Sequence, residues 1–485
     1  MSRIVLGPFN RVEGDLEVTL DIADGVVRSA RVSSALFRGF EQILQGKEPL
    51  DALVFVPRIC GICSVAQSAA AAQALACLMG VRAPDNGRLV ANLVQASENV
   101  ADHLTHFYLF FMPDFAREAY AGHPWWPAVA RRFKAISGSA SQDFLPARAD
   151  WLRLMGLLAG KWPHTLSLQP GGTTHPVSTS ERLRLMRVLG EFRRFLERHT
   201  FGDTLEAVAA IDGADALSVW GERHADSDFG LFLQASAHLD LRTLGCAGVA
   251  LLSYGAYEAV PGRGRWWPAG VWTGGSSLLD PAHIAEDVSH AWYAEAEPEL
   301  PPLQATTLPV ADKAAAYSWC KAPRLGGEVM ETGALARQVM AGHPLALDLL
   351  ARNGRAGGGV EARVVLRLIE VARLVPAMER WAEALQPAAP FCVESEMPSD
   401  GDGIGLIEAA RGALGHWLSV RRGRIHNYQI IAPTTWNFSP RDARGQPGAL
   451  ERALVGIPCP DSGKAPLAVQ HVVRSFDPCM VCTVH

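Results

Sequence analysis

The chain is predicted to adopt a mainly α fold with a small antiparallel β part, an α+β class built on long helices. Three observations predict it: strict apolar alternation near the N-terminus, helical periodicity from about residue 40 to 385, and strand-forming residues that return only after about residue 405. Leu16, Val18, Leu20 and Ile22 alternate as a half-buried strand does, Asp24 and Gly25 turn the chain, and Val26 and Val32 resume the pattern. A hairpin or small antiparallel sheet therefore opens the fold. The pattern becomes helical near Phe40. An alanine-rich helix is expected between Ile62 and Met79, where small side chains permit close contact, and then a long helix capped by Asp85 and reaching Phe111. Ser178 and Glu181 form a capping box for a helix running through Arg198, and Val360 to Leu385 reads as a long amphipathic helix. Breakers cluster at residues 169–176, 353–359 and 386–405; the last is expected to be a long loop before an irregular, strand-rich C-terminal segment. No breaker separates two complete patterns and no repeat occurs. Residues 1–485 are thus expected to form a single domain, with a β part at about 1–35, a helical core at about 40–385 and a C-terminal segment at about 405–485. The glycine-rich run from Gly354 to Gly359 lacks the strand, Lys and Ser/Thr of a phosphate cradle and reads as a plain turn.

With 48% hydrophobic and 20% charged residues over 485 positions, the composition excludes disordered, collagenous and small disulfide-stapled classes. The formal charge of -5 and basic runs no longer than pairs such as Arg131-Arg132 and Arg421-Arg422 exclude nucleic acid and an anionic membrane as partners. The first 15 residues hold Arg3, Arg11, Glu13 and Asp15 and lack a signal-peptide core. The uncharged run between Arg58 and Arg82 is mostly Ala, Ser, Gln, Gly and Cys, which suits an interior helix better than a membrane span. No direct membrane insertion is expected.

Of nine cysteines, Cys77, Cys246, Cys320, Cys392 and Cys459 are scattered and are expected to be small buried hydrophobes. The other four form two CxxC pairs, Cys60/Cys63 and Cys479/Cys482. A CxxC that opens a helix points two sulfurs at one place, and the helix dipole favours their thiolate form. Three readings compete. A structural zinc site draws its pairs from knuckles ~15–20 residues apart, whereas these lie about 415 apart. A thioredoxin-like pair needs a βαβ context, which neither has. A soft-metal redox centre uses four thiolates from distant segments.

The flanking residues discriminate. They are Arg58-Ile59-Cys60-Gly61-Ile62-Cys63 and Asp477-Pro478-Cys479-Met480-Val481-Cys482-Thr483-Val484-His485. RxCGxC near the start and DPCxxCxxH at the end resemble the two signature motifs of the large subunit of nickel-iron hydrogenases. Similar matches run in order through the chain: Asn10-Arg11-Val12-Glu13-Gly14, Leu36-Phe37-Arg38-Gly39-Phe40-Glu41, the segment from Glu408 through Arg411 to Trp417, Asn427-Tyr428-Gln429, and Pro433-Thr434-Thr435-Trp436-Asn437.

The resemblance implies a metal centre buried between the N- and C-terminal motifs, with Cys60, Cys63, Cys479 and Cys482 on nickel. Cys63 and Cys482 would also bridge to an iron carrying one carbon monoxide and two cyanides. It implies heterolytic cleavage of H2, with Cys479 as first proton acceptor and Glu13 carrying the proton outward. Arg411 would lie over the iron's diatomic ligands, oriented by Asp102 and Asp477, while Pro433 and the Thr434 hydroxyl would face a cyanide. Glu41, the backbone carbonyl of Ile430 and His485 would hold Mg2+. Read without the resemblance, Asp102 is an ordinary solvated helix residue. All four paired cysteines are then consumed, so no iron-sulfur ligand set remains in this chain. The implied partner is an iron-sulfur small subunit in an obligate heterodimer, with a dimer of heterodimers as a further option.

Departures from the family pattern narrow the subgroup. Gln67 stands where most members have a histidine, Asp15 replaces a histidine and Ala410 a proline, and Ile62 and Phe110 are bulky along the implied gas route to nickel. Gln67, Ile62 and Phe110 together resemble the regulatory, hydrogen-sensing, oxygen-tolerant subgroup, which is encoded without a cleaved extension after the terminal histidine; an end at His485 suits both an encoded and a processed terminus. This reading implies low turnover, a sensor histidine kinase as signalling partner and a cytoplasmic location. The alternatives are the large subunit of an energy-conserving uptake hydrogenase, membrane-associated through a partner, and a zinc-stabilised non-enzymatic helical scaffold.

Overall fold

In a computed structural model, which describes residues 2–294, 299–354, 357–459 and 466–485, the expected class holds: helices dominate and the sheets are small. Strands β1 (Ser2–Leu6), β2 (Leu16–Ala23) and β3 (Val26–Ser34) form an antiparallel sheet in that order. Leu16, Val18 and Leu20 are wholly buried on one face, as period-two alternation demands. Asp24 and Gly25 both take positive φ, 55° and 69°, as the hairpin turn requires.

Helix α1 (Ser64–Met79) begins at the residue after Cys63, and α2 (Asp85–Thr105) continues as a π-helical turn from His106 to Phe111. Pro84 is the extended residue ahead of α2, so Asp85 is its first helical residue, where it pairs with Arg88. α3 (Thr179–Phe195) opens on the expected capping box: the Glu181 amide donates to Ser178 Oγ and the Ser178 amide to Glu181 Oε2. It ends in a π-helical turn, Leu196–Phe201. α4 (Val360–Ala384) is buried on nearly every side and packs against α2 and α3. Ahead of α4, Gly354 follows the helix Pro344–Asn353 with φ 57° and Gly359 is extended; Arg355 and Ala356 of the expected turn lie outside the described residues.

Two regions differ from expectation. Residues 250–332, read as part of the helical core, contain short strands: Ala250–Ser253 pairs with Gly270–Trp272 and with Met330–Thr332, and Ile284–Asp287 pairs with Ala322–Leu325. Strands of three or four residues are too short to show a period. The segment expected to be irregular contains a regular meander, β4 (Gly401–Ala409), β5 (Gly412–Arg421) and β6 (Arg424–Ile431). Nine of the ten β5 residues are buried, so neither face leaves a polar stripe to read.

α1 packs on this sheet at backbone contact distance. A Cβ at Gly405 would stand 2.0 Å from the Ala70 carbonyl oxygen, and one at Gly403 2.2 Å from that of Ala74. Alanine on the helix and glycine on the strand are thus a matched pair, and the packing sets the height of α1, hence of the Cys60–Cys63 loop, over the C-terminal segment. Past β6 the chain forms the short helices Pro433–Asn437 and Ala449–Leu454, then α5 (Leu467–Ser475), and ends in the single turn Met480–Thr483. Among the described residues no helix is long and apolar enough to cross a membrane. The scattered cysteines divide: Cys320 and Cys459 are buried and Cys246 half-buried, but Cys77 and Cys392 are exposed, because the last turn of α1 and the loop after α4 emerge at the surface.

Candidate metal centre

The two CxxC pairs, from opposite ends of the chain, meet in the interior. Cys63 is the N-cap of α1 and Cys479 the N-cap of the last helical turn. The N-terminal loop holds the second pair in place: the Glu13 amide donates to the Pro478 carbonyl (3.3 Å) and the Met480 amide to the Glu13 carbonyl (2.7 Å). Asp477 takes φ 56°, and this sharp turn carries the backbone into Pro478 and Cys479.

All four sulfurs are buried and lie within 4.8 Å of one another, forming the one His/Cys/Asp/Glu group among the described residues that could hold a metal. Cys60 and Cys479 Sγ are 3.4 Å apart, Cys63 and Cys482 3.0 Å, and Cys479 and Cys482 3.1 Å. Hydrogen bonds from Cys479, Cys482 and Cys63 pull the Cys60 thiol well below its ordinary value. The same sharing, led by Cys479, together with burial pushes Cys63 and Cys482 well above theirs. Protons alone therefore let one sulfur ionise at the expense of the others. A soft cation among them removes that conflict, so the donor set fits a thiolate-bound metal.

Arg411 lies on the turn between β4 and β5. Its Nη1 and Nη2 donate to the two oxygens of Asp102, its Nε to the Asp477 carbonyl (2.9 Å) and Nη2 also to Asp477 Oδ1 (3.2 Å). The three side chains are buried. Asp102 is therefore no solvated helix residue: burial, opposed by Arg411 and reinforced by Asp477, pushes it up to about 7. Half-buried Glu13 is also raised, first by burial and then by the charge of Cys60, with Arg411 opposing. Pro433 opens its short helix, and the Thr434 hydroxyl accepts the Cys479 amide at 3.1 Å, leaving its own hydrogen free to donate.

Glu41, Ile430 and His485 also come together. His485 is 5% exposed, with Nδ1 on the Cys482 carbonyl and Nε2 3.2 Å from Glu41 Oε1. Ile430 approaches through its amide N–H, which donates to Glu41 at 2.9 Å, whereas the expectation placed its carbonyl there. Lys321, from a region without a recognisable motif, places its ammonium 2.9 Å from Glu41 and 3.2 Å from Glu286. Glu286 Oε1 is buried without a partner. Lys321 supplies the positive charge of this oxygen-rich corner.

Gln67 is fully buried and its Oε1 lies 2.8 Å from His416 Nε2, while His416 Nδ1 faces Tyr428 Oη at 2.8 Å. Ile62 and Phe110 are half-buried, Ile62 against the core and Phe110 in the π-helical turn. Beyond these, Lys321, Glu286 and Glu98 belong to the surroundings of the site and were not anticipated. The one signal for Glu98 is the polar run Gln95-Ala96-Ser97-Glu98-Asn99 on a helix buried all round.

A family model described as nickel-dependent hydrogenase matches residues 38–123 and 139–485. The chain belongs to the nickel-dependent hydrogenase family. Among curated relatives of this hydrogenase, the periplasmic [NiFeSe] hydrogenase large subunit of Desulfomicrobium baculatum is 31% identical, covering 100% of this chain and 95% of the relative. The uptake hydrogenase large subunit of Rhodobacter capsulatus is 26% identical, again covering 100% and 95%. The solved Ni-Fe-Se hydrogenase of D. vulgaris Hildenborough in the reduced state matches with a TM-score of 0.84 at 30% identity, covering 100% of both chains. Family membership makes the chain an enzyme and sets aside the zinc scaffold and thioredoxin-like readings of its four sulfurs.

Proposed function

We propose that this hydrogenase is the large subunit of a regulatory, hydrogen-sensing enzyme that cleaves H2 reversibly to protons and electrons. The observation that carries the chemistry is the buried four-sulfur cluster beside the Asp102–Arg411–Asp477 clamp. Cys60, Cys63, Cys479 and Cys482 would hold nickel, with Cys63 and Cys482, 3.0 Å apart, shared with iron. A nickel-iron pair with one carbonyl and two cyanides supplies the Lewis acid and redox couple for a molecule that has no charge of its own. The chain's part is to hold and move the proton. Cys479 is its first acceptor, and Glu13 relays it outward: its backbone bridges to that of Cys479, and burial raises its affinity for protons. Arg411 presents fixed positive charge and donors to the diatomic ligands; Asp102 and Asp477 set its plane. Thr434, beside Pro433, would donate to a cyanide. Glu41 and His485, which meet at 3.2 Å, would take part in holding Mg2+ and tie the C-terminal turn to the rest of the fold. Electrons leave through an iron-sulfur small subunit, a pairing supported by the large-subunit names of the relatives. Carbonyl and cyanide infrared bands on the purified protein test this chemistry; their absence from protein that carries nickel and iron would refute it.

The sensing role is supported by Gln67, whose buried bond to His416 replaces a histidine at that place, and by the bulk of Ile62 and Phe110. It entails a sensor histidine kinase, oxygen tolerance and a cytoplasmic location. If Ile62 and Phe110 narrow the gas route, Ile62→Val with Phe110→Leu should open it, because close-packed neighbours relax only partly. Inactivation under air then accelerates while metal content and H2 oxidation are kept. Unchanged tolerance would remove the gas-route argument. The second reading, an uptake hydrogenase membrane-associated through a partner, is favoured by the name of the Rhodobacter capsulatus relative. An H2-dependent change in the autophosphorylation of a histidine kinase, from ATP, when it is reconstituted with the heterodimer separates the two.

A further inference from the structure

Cys63 occupies the N-cap of α1, a position where Ser, Thr, Asp or Asn ordinarily accepts from the free amides of the first turn. Its side chain makes no capping bond, because the sulfur is turned to Cys482 at 3.0 Å. A helix end buried without partners is costly, and this one is buried: Ser64, Val65 and Ala66 are all 0% exposed. The missing acceptor comes from α2. Glu98 Oε2 accepts the Val65 amide at 2.9 Å and Oε1 the Ala66 amide at 2.9 Å, while the Trp162 indole N–H donates to Oε2 at 3.0 Å. Glu98 is itself 2% exposed.

We propose that Glu98 is a positioning residue of the metal centre, capping α1 in place of Cys63 so that the Cys63 sulfur is free to face the metal in a fixed direction. The inference rests on the nickel reading of the cluster. Here the Cys63 sulfur points away from the first turn toward Cys482, so it does not fold back to cap its own helix. By using an acid from the neighbouring helix, the fold separates the two tasks. The two amides that Glu98 holds follow Cys63 by two and three residues, so a shift in the first turn of α1 moves the Cys63 Cα–Cβ direction directly. Burial raises Glu98 to about 8 against the pull of its three donors, so those bonds are made at the expense of its solvation. A carboxyl kept in so unfavourable a place, with both oxygens used on one backbone turn, has the anatomy of the supporting groups that orient metal ligands.

The test compares Glu98→Gln and Trp162→Phe with a control, Ser178→Ala, which removes the hydroxyl that caps α3 away from the sulfurs. Glutamine is isosteric but turns an N–H2 group toward an amide donor; Trp162→Phe removes one of the three donors and leaves both amide contacts. Each purified heterodimer is assayed for nickel by mass spectrometry, for the paramagnetic resonance g-values of oxidised nickel, and for thermal unfolding. Glu98→Gln is expected to lose nickel occupancy or H2/D2 exchange by roughly 10- to 100-fold, the usual effect of removing a group that orients a metal ligand. Its residual nickel should show shifted g-values, with a smaller shift in Trp162→Phe. Ser178→Ala should lower the unfolding temperature with wild-type nickel content and g-values. Glu98→Gln and Trp162→Phe with wild-type occupancy and g-values would overturn the proposal, because a cap that only stabilises α1 would behave like the control. A wild-type protein that binds no nickel would overturn the metal reading and the proposal with it. If Glu98→Gln does not accumulate as folded protein, unchanged g-values in Trp162→Phe overturn the proposal.

Discussion

Arg411→Lys keeps the positive charge at the metal centre and changes only its shape. The guanidinium spans two buried carboxylates, bonding both oxygens of Asp102 and both the carbonyl and Oδ1 of Asp477. An ammonium carries three donors on one atom and has no planar fork, so it can serve one partner well and leaves the other short. Losing two of the four hydrogen bonds, at ~1.5–3 kcal/mol each for charged partners, gives a cost of about 3–6 kcal/mol. Asp102 offers relief. It already sits at about 7 through burial, and with a weaker partner it rises further and takes up a proton, which keeps the cost near the lower figure at neutral pH. The sign of the pH dependence follows. A carboxyl whose folded value is raised retains a proton that the unfolded chain releases above about pH 4, so its contribution to stability falls as pH rises through the folded value. The deficit of Arg411→Lys relative to wild type should therefore widen from about pH 5.5 to 8.5. At ~2.1 cal/mol/K per residue, a chain of 485 residues unfolds with about 1 kcal/mol/K, so 3 kcal/mol appears as a fall of about 3 °C at pH 7. Scanning calorimetry at three pH values resolves that, and H2/D2 exchange on the same samples reports the chemistry. Equal stability at every pH with undiminished exchange would show that the guanidinium fork is dispensable and that charge alone suffices.

Cys479→Ser replaces a soft thiolate with a hard, weakly acidic hydroxyl and should abolish both nickel loading and H2 activation; full nickel and activity in the variant would contradict the metal assignment. Glu13→Gln preserves shape and loses the titrating group, so the metal centre and its infrared bands should persist while hydrogen-deuterium exchange falls by about 10²-fold or more. Exchange at the wild-type rate would mean that another group carries the proton. Away from the metal, burial raises Glu451 from 4.5 to about 7 although it accepts from Val32 and Tyr317. Its contribution to stability is then lost as pH rises between those values, by roughly 3 kcal/mol at most. Glu451→Gln, which cannot ionise, should gain stability relative to wild type from pH 5 to 8 in denaturant titrations; a constant difference would refute the assignment.

The recognisable part of the site was the part that repeats as local pattern. Cys60-Gly61-Ile62-Cys63 and Cys479-Met480-Val481-Cys482 are read within four residues each, and the segments around Glu13, Arg411 and Thr434 carry motifs of their own. Lys321 and Glu286 carry none. They reach Glu41 from strands of four residues and a neighbouring loop, where no period exists and the contact spans 245 to 280 positions. Glu98 is hidden differently: a polar residue on a helix reads as a solvated face until the helix is known to be buried on all sides.

By itself the sequence determined the helical class, the opening hairpin through Leu16–Ile22 and Asp24-Gly25, the capping box at Ser178, the four cysteines that form one cluster, and the family. These depend on short-range periodicity, turn chemistry and residue type, all local to the chain. Only the tertiary structure decided that β4–β6 form a meander, that Asp102 is buried and clamped to Arg411, that Ile430 meets Glu41 through its N–H, and that an acid on α2 caps the helix bearing Cys63. The physical reason is common to all four. Burial, and the partner that makes burial tolerable, are properties of segments brought together from distant parts of the chain, and a polar side chain looks the same in the sequence whether it faces water or another buried group.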